Sequence, residues 1–499
     1  MCGIAGFCNF KEDFEENTDY WNFRLEKMRA VLAHRGNDAR GRYLKKHIGL
    51  SHSRLAIRDI LCGDQPMTRT HNGYEYTICY NGEIYNTDEL IPELSENGFV
   101  CSTTSDTEVI LYAYIHWGAD FVNRLNGIFA FAIWDAAKNR LLLYRDRVGV
   151  KPLFYAIRGD SLVFGSEPKA CFAHPAVKPE LDKQGLQELL AIGPAHTSGL
   201  SLFKDLFEVL PGHFMIYSQN GLHDETYWEL TSREHTESYQ DTVAHTRFLV
   251  EDAIKRQMVS DVPVCTFLSG GIDSSIVTAI AANYMNTRGK TLNTFSFDFK
   301  DNDRYFKANA FQPERDLPYV NRMLEEYETA HSYLECDENS LFKALFAAVD
   351  AKDMPGMTDV DSSLLYFCSL VSRKNKVALT GECADEIFGG YPWFYRKELL
   401  ERYGFPWSSD VAPRLALLRD DVGLELDLSG YQAFRYEESR SKAPLLYGEA
   451  GEDESRRIIG YLNIKWFMQT LLDRMDRTSM YSELEARVPF ADHRIIEYC

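Results

Sequence analysis

The sequence has no long apolar segment and no closely paired cysteines. Its longest apolar run, around residues 127–134, is far shorter than the roughly 18 residues that a membrane-spanning helix needs. The first residues lack the basic start and long apolar region of a secretion signal. The eleven cysteines are scattered and include no Cys-x-x-Cys pair, which argues against a disulfide framework or a zinc site. We therefore expect a cytoplasmic protein that binds no membrane.

Positive charge is also scarce. The 54 Lys and Arg residues stand against 74 Asp and Glu residues, and the formal net charge is −20. Binding to nucleic-acid phosphates needs clustered cations, so we expect no nucleic-acid partner. The sequence shows no internal repeat and no low-complexity tract. Its 499 residues, 45 % hydrophobic and 26 % charged, are typical of a soluble enzyme with two or three domains.

The pattern of apolar residues changes near residue 240. Before it, short β-rich runs such as 128–134 and 141–144 alternate with turns, and one helix is predicted from residue 108 to 117. After it, apolar strands at 262–268 and 376–380 are each followed by a glycine-containing turn and a helical pattern. That order predicts a parallel sheet covered by helices. We predict a first domain over 2–215, a linker over 216–240 that is most polar at 231–240, and a second domain over 241–499.

Cys2 follows the initiator methionine, and its small size permits removal of Met1. The mature chain would then begin with a thiol and a free α-amine on one residue. An α-amine has a reference pKa near 8, so at neutral pH an appreciable fraction can accept the thiol proton. Cys2 is therefore a candidate nucleophile that carries its own base.

Five segments resemble, in the family's order, the class II glutamine amidotransferases, a branch of the N-terminal nucleophile (Ntn) hydrolases. They are CGIAG at 2–6, HRGND at 34–38, SRLAI at 53–57, YNGEIYN at 80–86 and SDTE at 105–108. The family usually has Pro where Asn37 stands, at a turn position where we expect little effect. The resemblance implies that Cys2 attacks the side-chain amide of glutamine.

The same resemblance assigns the groups that hold glutamine. Hydrolysis passes through a tetrahedral oxyanion, which needs fixed donors such as the Asn81 amide and the Gly82 N–H. Arg54 supplies a planar cation for the α-carboxylate. Asp106 accepts from the α-ammonium, with Glu83 as a second acceptor. The implied catalytic residues are Cys2, Asn81 and Gly82, and the implied glutamine-binding residues are Arg54, Leu55, Ile57, Asn81, Gly82, Glu83 and Asp106.

Two of these assignments also have a purely structural interpretation. Asn81-Gly82 fits a type I′ hairpin turn, and Asp106 fits a helix N-cap. A turn or a cap can still present catalytic groups, so both interpretations stay open.

A glycine-rich loop, SGGIDSS at 269–275, stands between a strand and an apolar helix over 276–284. The glycines let backbone N–H groups converge, the helix adds its positive end, and the serines add hydroxyl donors, which together cradle an anion. A Walker loop would need Gly-Lys-Ser/Thr, which this loop lacks. The string instead resembles the loop of the N-type ATP pyrophosphatases, which hold the β- and γ-phosphates of ATP and cleave between the α- and β-phosphates.

A second string, TGECADEIFGGY at 380–391, follows the strand at 376–380. Its carboxylates and that of Asp273 cannot crowd a nucleotide site without a cation, so Mg²⁺ is implied, with Asp273 and Asp385 as its ligands. The family often has Gly where Cys383 stands, and we expect the small thiol to be tolerated. In a parallel sheet the carboxyl ends of the strands meet at one edge, so both strings are expected there.

By resemblance the adenine lies against Phe267 and Phe297, although both positions fit core strand residues as well, and Thr380 and Gly381 lie near the ribose. The implied ATP site comprises Phe267, Ser269, Gly270, Gly271, Asp273, Ser274, Ser275, Phe297, Thr380 and Gly381. The implied aspartate and adenylate site comprises Glu382, Glu386 and Tyr391.

Both halves in this order resemble the glutamine-hydrolysing asparagine synthetases. Further matching strings are YRDRVGVKPL at 144–153, FGSE at 164–167, LPGH at 210–213 and LEARVPF at 484–490. The resemblance implies an α+β Ntn-hydrolase sandwich followed by an α/β parallel-sheet ATP-pyrophosphatase domain of the adenine nucleotide alpha hydrolase kind. It implies amidation of aspartate through β-aspartyl-AMP, with glutamine, aspartate and ATP as substrates and an internal tunnel for ammonia. A homodimer is common in that family, and we leave it open.

One departure concerns the end of the chain. Family members continue well past the segment VPFADHR at 488–494, whereas this sequence stops at Cys499. The later part normally holds a lysine of the synthetase site. We expect that the sequence is a fragment or that the protein lacks full synthetase activity, and that apolar surface is exposed around Ile495, Ile496 and Tyr498.

We consider three alternative functions, of which the sequence excludes one. An enzyme that amidates another carboxylate, in an antibiotic or peptide precursor, shares the architecture. Lactam-forming relatives have usually lost the cysteine that Cys2 provides here. A glutaminase-only protein that serves as a regulator would fit the short C-terminus. Sugar-phosphate and purine amidotransferases share only the first domain, and the loop at 269–275 excludes them.

Overall fold

The computed structural model describes residues 2–308, 314–408 and 410–499. Within those ranges no helix combines the length and the apolar character needed to cross a bilayer. Met1, whose removal the sequence predicts, lies outside the described residues.

The first part of the chain forms two antiparallel six-stranded sheets, with strand orders β10-β8-β9-β1-β3-β2 and β12-β11-β7-β6-β5-β4. The strands are β1 (Gly3–Asn9), β2 (Ala39–Lys45), β3 (Ile48–Arg54), β4 (Met67–His71), β5 (Tyr74–Ile84), β6 (Gly127–Asp135), β7 (Arg140–Arg145), β8 (Phe154–Arg158), β9 (Ser161–Gly165), β10 (Phe207–Glu208), β11 (His213–Ser218) and β12 (Gly221–Thr226).

Strand β6 explains why the two sheets stack. Its side chains alternate between faces. Ala132 and Trp134 pack between the sheets, and Phe129 and Phe131 pack beneath helices on the other side. Helices lie on both outer faces, so the domain has four layers. Its helices are α1 (Thr18–Ala30), α2 (Thr87–Glu96), α3 (Asp106–Trp117), α4 (Pro168–Phe172) and α5 (Lys183–Gln187).

The second part contains a five-stranded sheet in which every neighbouring pair is parallel, with the order β15-β14-β13-β16-β17. The strands are β13 (Val264–Phe267), β14 (Leu292–Phe299), β15 (Thr329–Cys336), β16 (Val377–Leu379) and β17 (Glu485–Arg487). The chain builds outwards from β13 to β15 and then returns to β16 beside β13. The crevice beyond the carboxyl ends of β13 and β16 is therefore the switch point where such sheets bind ligands.

Some helices of the second part pack on this sheet, and others pack against the first part of the chain. The helices are α6 (Tyr239–Arg256), α7 (Ile272–Asn286), α8 (Asn302–Tyr305), α9 (Leu317–Glu326), α10 (Glu338–Lys352), α11 (Thr358–Val371), α12 (Ala384–Phe388), α13 (Lys397–Leu400), α14 (Ala412–Leu415), α15 (Asp420–Leu426), α16 (Leu428–Arg440), α17 (Glu452–Leu462), α18 (Gln469–Met480) and α19 (His493–Tyr498). A π-helical turn, Asn463–Met468, joins α17 to α18.

The strands of the first domain extend further than its predicted end at residue 215. Strands β11 and β12 run to Thr226, and α6 begins at Tyr239. The segment without helix or strand is therefore 227–238, shorter than the predicted linker over 216–240. The β-rich pattern of β12 is weak because its residues are mostly exposed and polar.

The prediction that apolar surface is exposed at the end of the chain is wrong. Ile495 and Ile496 are buried, and Tyr498 is half-buried and packs against the same core cluster. The cause is α19, which folds back against α6 and covers its own apolar side chains.

Candidate active sites

Cys2 is buried and immediately precedes β1. Its backbone N–H donates to Asn81 Oδ1 at 2.9 Å, and its thiol lies 4.0 Å from the Leu55 carbonyl. Burial raises the pKa of the Cys2 thiol. The thiol therefore needs an adjacent base to become a nucleophile.

Asn81 and Gly82 lie inside strand β5, paired with Ala130 and Phe129 of β6. The hairpin-turn interpretation is thus wrong. The Asn81 side chain is fully buried, and its Nδ2 has no hydrogen-bond partner in the described part of the chain. A Cβ on Gly82 would lie 2.2 Å from the Ile128 carbonyl oxygen, so only glycine fits there. An unpaired buried donor beside a thiol is the arrangement that an oxyanion requires.

Arg54 ends strand β3 with its guanidinium enclosed by the loop that follows. It donates to Asp64 at 2.9 Å, to the Asp59 carbonyl at 2.6 Å and to the Ile60 carbonyl at 3.1 Å. A Cβ on Gly63 would lie 2.5 Å from Nη2. The loop therefore fixes the direction of the guanidinium.

Asp106 and Glu83 form an acidic corner of the same pocket. Asp106 accepts from the Tyr80 hydroxyl at 2.8 Å and from the Ile84 N–H at 3.0 Å. The N-cap of α3 is Ser105, and Asp106 is the first helical residue, so the N-cap interpretation is wrong by one position. Burial and the charge of Asp106 raise the pKa of Glu83 to about 8.

These groups meet in one pocket. Of the predicted glutamine-site residues, all but Asn81 line it, and Asn81 accepts the hydrogen bond from the Cys2 backbone N–H. The sequence reasoning missed Arg58 and Glu485, which also line the pocket. Arg58 directly follows the SRLAI string and donates to Glu83 at 3.1 Å. Glu485 comes from the second domain, and no local pattern connects it with this pocket.

The loop at 269–275 connects β13 to α7, as predicted. The Ser269 N–H donates to Ser274 Oγ at 3.2 Å, and the two serine hydroxyls lie 3.0 Å apart. Gly270 has φ +86°, and a Cβ there would lie 2.8 Å from that of Tyr319. The left-handed turn at Gly270, which glycine adopts without strain, leads into the first turn of α7, whose N–H groups have no partner within the helix and can bind an anion.

The segment 380–391 packs directly against the loop at 269–275. A Cβ on Gly381 would lie 2.8 Å from the Ser274 backbone nitrogen. Cys383 adopts a left-handed conformation with φ +77°, and α12 follows it. The Tyr391 hydroxyl donates to Glu386 at 2.6 Å. One cleft is therefore shared by the two strings.

Most of the predicted nucleotide and acceptor residues line this cleft: Phe267, Ser269, Gly271, Asp273, Ser274, Thr380, Gly381, Glu382, Asp385, Glu386 and Tyr391. Gly270, Ser275 and Phe297 do not line it. Phe297 lies on β14 and packs against Phe367, with ring centroids 5.2 Å apart.

The carboxylates of the cleft raise one another's pKa values. Burial and the charge of Asp385 raise the pKa of Asp273 to about 6, and burial and Glu382 raise the pKa of Asp385. A cation between Asp273 and Asp385 would relieve that repulsion, so the pair fits Mg²⁺.

The sequence reasoning missed Arg474, the one Lys or Arg among the described residues that line the cleft. It lies on α18 and donates to Glu382 at 2.8 Å. The surrounding sequence, LLDRMDR, is typical of an ordinary amphipathic helix. Only the tertiary structure shows that Arg474 lies near the nucleotide loop.

A cluster of buried charges joins the two domains. Arg35 donates to Glu167 at 2.8 Å and to Asp476 at 2.8 Å, and Lys151 donates to Asp476 at 2.9 Å. Arg477 lies 3.6 Å from Glu167. Each of these side chains is at most 1 % exposed. Although burial opposes it, Arg35 and Lys151 lower the pKa of Asp476.

Comparison with known proteins agrees with this two-part architecture. Residues 1–228 match the family described as glutamine amidotransferase domain, and residues 245–499 match the family described as asparagine synthase. The chain belongs to the glutamine-hydrolysing asparagine synthetase family.

Individual relatives cover the whole chain. Glutamine-hydrolysing asparagine synthetase 3 of Bacillus subtilis strain 168 is 48 % identical over 499 residues, which span 100 % of this chain and 80 % of that protein. Asparagine synthetase 1 of the same strain is 29 % identical, again over 100 % of this chain and 80 % of that protein. The amidase chyE of Penicillium rubens is 31 % identical over 83 % of this chain and 62 % of its own length.

Proposed function

We propose that the chain converts aspartate, ATP and glutamine into asparagine, AMP, pyrophosphate and glutamate. One observation carries the proposal. A thiol pocket with an unpaired oxyanion donor and an acidic phosphate-loop cleft stand on one chain, and both contain the residues that the resemblance assigns.

The thiol pocket supplies ammonia. With Met1 removed, the α-amine of Cys2 takes the thiol proton, and the sulfur attacks the side-chain carbonyl carbon of glutamine. The unpaired Asn81 Nδ2 and the Gly82 N–H stabilise the resulting oxyanion. Ammonia leaves with that proton, and water then hydrolyses the thioester to glutamate. Arg54 binds the substrate α-carboxylate, and Asp106 with Glu83 binds the α-ammonium.

The acidic cleft activates the acceptor. The aspartate β-carboxylate attacks the α-phosphorus of ATP, pyrophosphate leaves, and β-aspartyl-AMP forms. Ammonia then attacks the acyl carbon, loses a proton, and displaces AMP. Ser269 and Ser274 cradle the phosphates, and Arg474 is placed to balance their charge. Mg²⁺ held by Asp273 and Asp385 would neutralise the leaving pyrophosphate.

We place the two domains in the Ntn-hydrolase and N-type ATP-pyrophosphatase superfamilies. The four-layer sandwich with its N-terminal cysteine supports the first assignment, and the loop at the switch point supports the second. All eleven cysteines are free thiols, which supports a reducing, cytoplasmic location. The net charge of −20 supports the absence of a nucleic-acid partner.

The proposal is tested with the purified protein, aspartate, Mg²⁺-ATP and glutamine labelled with ¹⁵N at the amide. Mass spectrometry should find labelled asparagine and an equal amount of AMP. The Cys2→Ala variant should make asparagine from added ammonia but not from glutamine. Glutamate without asparagine or AMP would contradict the synthetase half and direct the search to another acceptor carboxylate. Sedimentation of the same sample determines whether a homodimer forms.

A further inference from the structure

Arg487 is a buried arginine of the second domain that reaches the glutamine pocket of the first. Its side chain is 0 % exposed. Nη2 donates to Glu83 at 3.3 Å, and Nε donates to Glu485 at 2.6 Å. Nη1 donates to the Gln257 and Val259 carbonyls at 2.6 and 2.5 Å. Four acceptors around one planar group fix its position.

The backbone of the same residue contacts the nucleotide cleft. Arg487 ends β17, which pairs in parallel with β16. Its carbonyl oxygen accepts from the Thr380 N–H at 3.0 Å and from the Thr380 hydroxyl at 3.3 Å. Thr380 opens the acidic string and lines the cleft. One residue therefore joins both candidate sites by direct contacts.

Glu83 needs a cation beside it in the glutamine pocket if its carboxyl group is to be charged. It faces Asp106 from α3, Glu485 and Arg487 from β17, and Arg58 from the loop after β3, and its neighbour Tyr85 is buried beside Arg487. Burial and Asp106 favour the neutral carboxyl, whereas Arg487 and Arg58 favour the carboxylate. Only the carboxylate can hold the α-ammonium of glutamine strongly.

We propose that Arg487 is a positioning residue of the glutamine site supplied by the synthetase domain, whose guanidinium hydrogen-bonds Glu83 and favours its carboxylate form for the substrate α-ammonium, while its backbone anchors Thr380. This inference rests on the proposed glutaminase function. It makes recognition of the amino group of glutamine dependent on a strand that belongs to the nucleotide-binding sheet.

The experiment compares two substrates in the full-length protein. Glutamine carries the α-ammonium, and glutaramate is the same molecule without it. Removing the charge in Arg487→Met should raise the KM for glutamine by about tenfold and change kcat by less than about threefold, because a charge-assisted contact to the substrate weakens. The kcat/KM for glutaramate should stay within about twofold of the wild-type value. Arg487→Lys should recover most of the glutamine KM.

A matched control is Arg494→Met, which removes a second-domain arginine bound to Asp252 and Asp492 and not to the glutamine pocket. It should leave the KM for glutamine unchanged. Circular dichroism melts of all variants show whether each one folds.

Two results would overturn the inference. Equal losses for glutamine and glutaramate would make Arg487 a general support of the fold, and unchanged kinetics would make it dispensable. If Arg487→Met does not fold, Arg487→Lys decides alone: a loss confined to glutamine, even a small one, supports the inference, and equal losses for both substrates or no loss for either contradict it. A wild-type protein that hydrolyses neither substrate would instead refute the proposed glutaminase function and the inference with it.

Discussion

The two ends of the Asn81 side-chain amide differ in their hydrogen bonding. Oδ1 accepts from the Cys2 backbone N–H at 2.9 Å, and Nδ2 is buried without a partner among the described residues. An unpaired buried donor costs free energy, about 1–3 kcal/mol. In the proposed mechanism an oxyanion that forms next to Nδ2 would recover that cost, so the donor would favour the transition state over the free enzyme.

Asn81→Asp keeps the oxygen that positions Cys2 and removes the donor. We expect the kcat of glutamine hydrolysis to fall by at least about 10²-fold, since one oxyanion donor is worth about 10²–10³ in kcat. Glutamate release measures this effect. Ammonia-dependent asparagine formation by the same variant serves as the control, and a parallel loss there would mean that the substitution damages the fold.

The raised pKa of Glu83 predicts that glutamine binding depends on pH. Its pKa is raised to about 8 by burial and by Asp106. Below that pH the carboxyl is largely neutral, and with rising pH the carboxylate forms and attracts the α-ammonium. The KM for glutamine should therefore fall as the pH rises from 6.5 to 8.5, by up to about tenfold per unit. Glu83→Gln should raise the KM and flatten this dependence, and a profile that Glu83→Gln leaves unchanged would assign the effect to another group.

Among the structural elements, the turn after β16 depends on glycine. A Cβ on Gly381 would press against the Ser274 backbone nitrogen at 2.8 Å and the Asp273 Cβ at 3.0 Å. Contacts that short force the two strings of the cleft apart.

We expect Gly381→Ala to raise the KM for ATP or lower the rate of AMP formation by about tenfold or more, since small misplacements at a reacting site cost up to about 10²-fold. Glutaminase activity should stay near the wild-type level. Gly460→Ala is the matched control, because Gly460 lies in α17 with no atom near its added Cβ. That change should be neutral or stabilise the protein by about 0.4–1 kcal/mol. Normal ATP kinetics in Gly381→Ala would contradict the close packing of the cleft.

Local patterns predicted the elements that carry the sites. The β-rich run of β6, the strand and glycine loop before α7, and helix α3 all lie where the sequence places them. Asn81-Gly82 misled the turn prediction because Gly82 lies under the Ile128 carbonyl inside a strand, where the turn propensity is overridden by pairing with β6.

Residues contributed across long sequence distances escaped prediction. Glu485 reaches the thiol pocket from the other domain, and Arg474 reaches the nucleotide cleft from α18, which also supplies Asp476 to the domain interface. Spacing along a chain carries no information about such contacts, because they depend on how whole elements pack. Helix α19 was expected to be exposed because the family continues past it, and only its packing against α6 shows that its apolar side chains are covered.

At the scale of the whole molecule, the interface depends on the charge of Asp476. It is 1 % exposed and pairs with both Arg35 and Lys151. Removing one charge from a buried cluster leaves its partners uncompensated.

Asp476→Asn should therefore destabilise the protein by about 3–5 kcal/mol, which calorimetry would detect as a lower Tm. Asp160→Asn is the control, because Asp160 pairs with Lys11 at the surface with side chains 55 % and 74 % exposed. Exposed pairs contribute about 0–1 kcal/mol, so its Tm should barely move. Equal shifts in the two variants would show that the buried cluster is no more costly to break than a surface pair.

The buried charge cluster also constrains how the two halves can be inherited. Arg35 and Lys151 lie in one half of the gene, and Asp476 and Arg477 lie in the other. A recombination event that exchanged one half for that of a distant relative would bring together charges that were not selected for each other. Chimeras of this kind should fold only when the exchanged half keeps the matching charges, so the two catalytic halves are expected to evolve as a single unit.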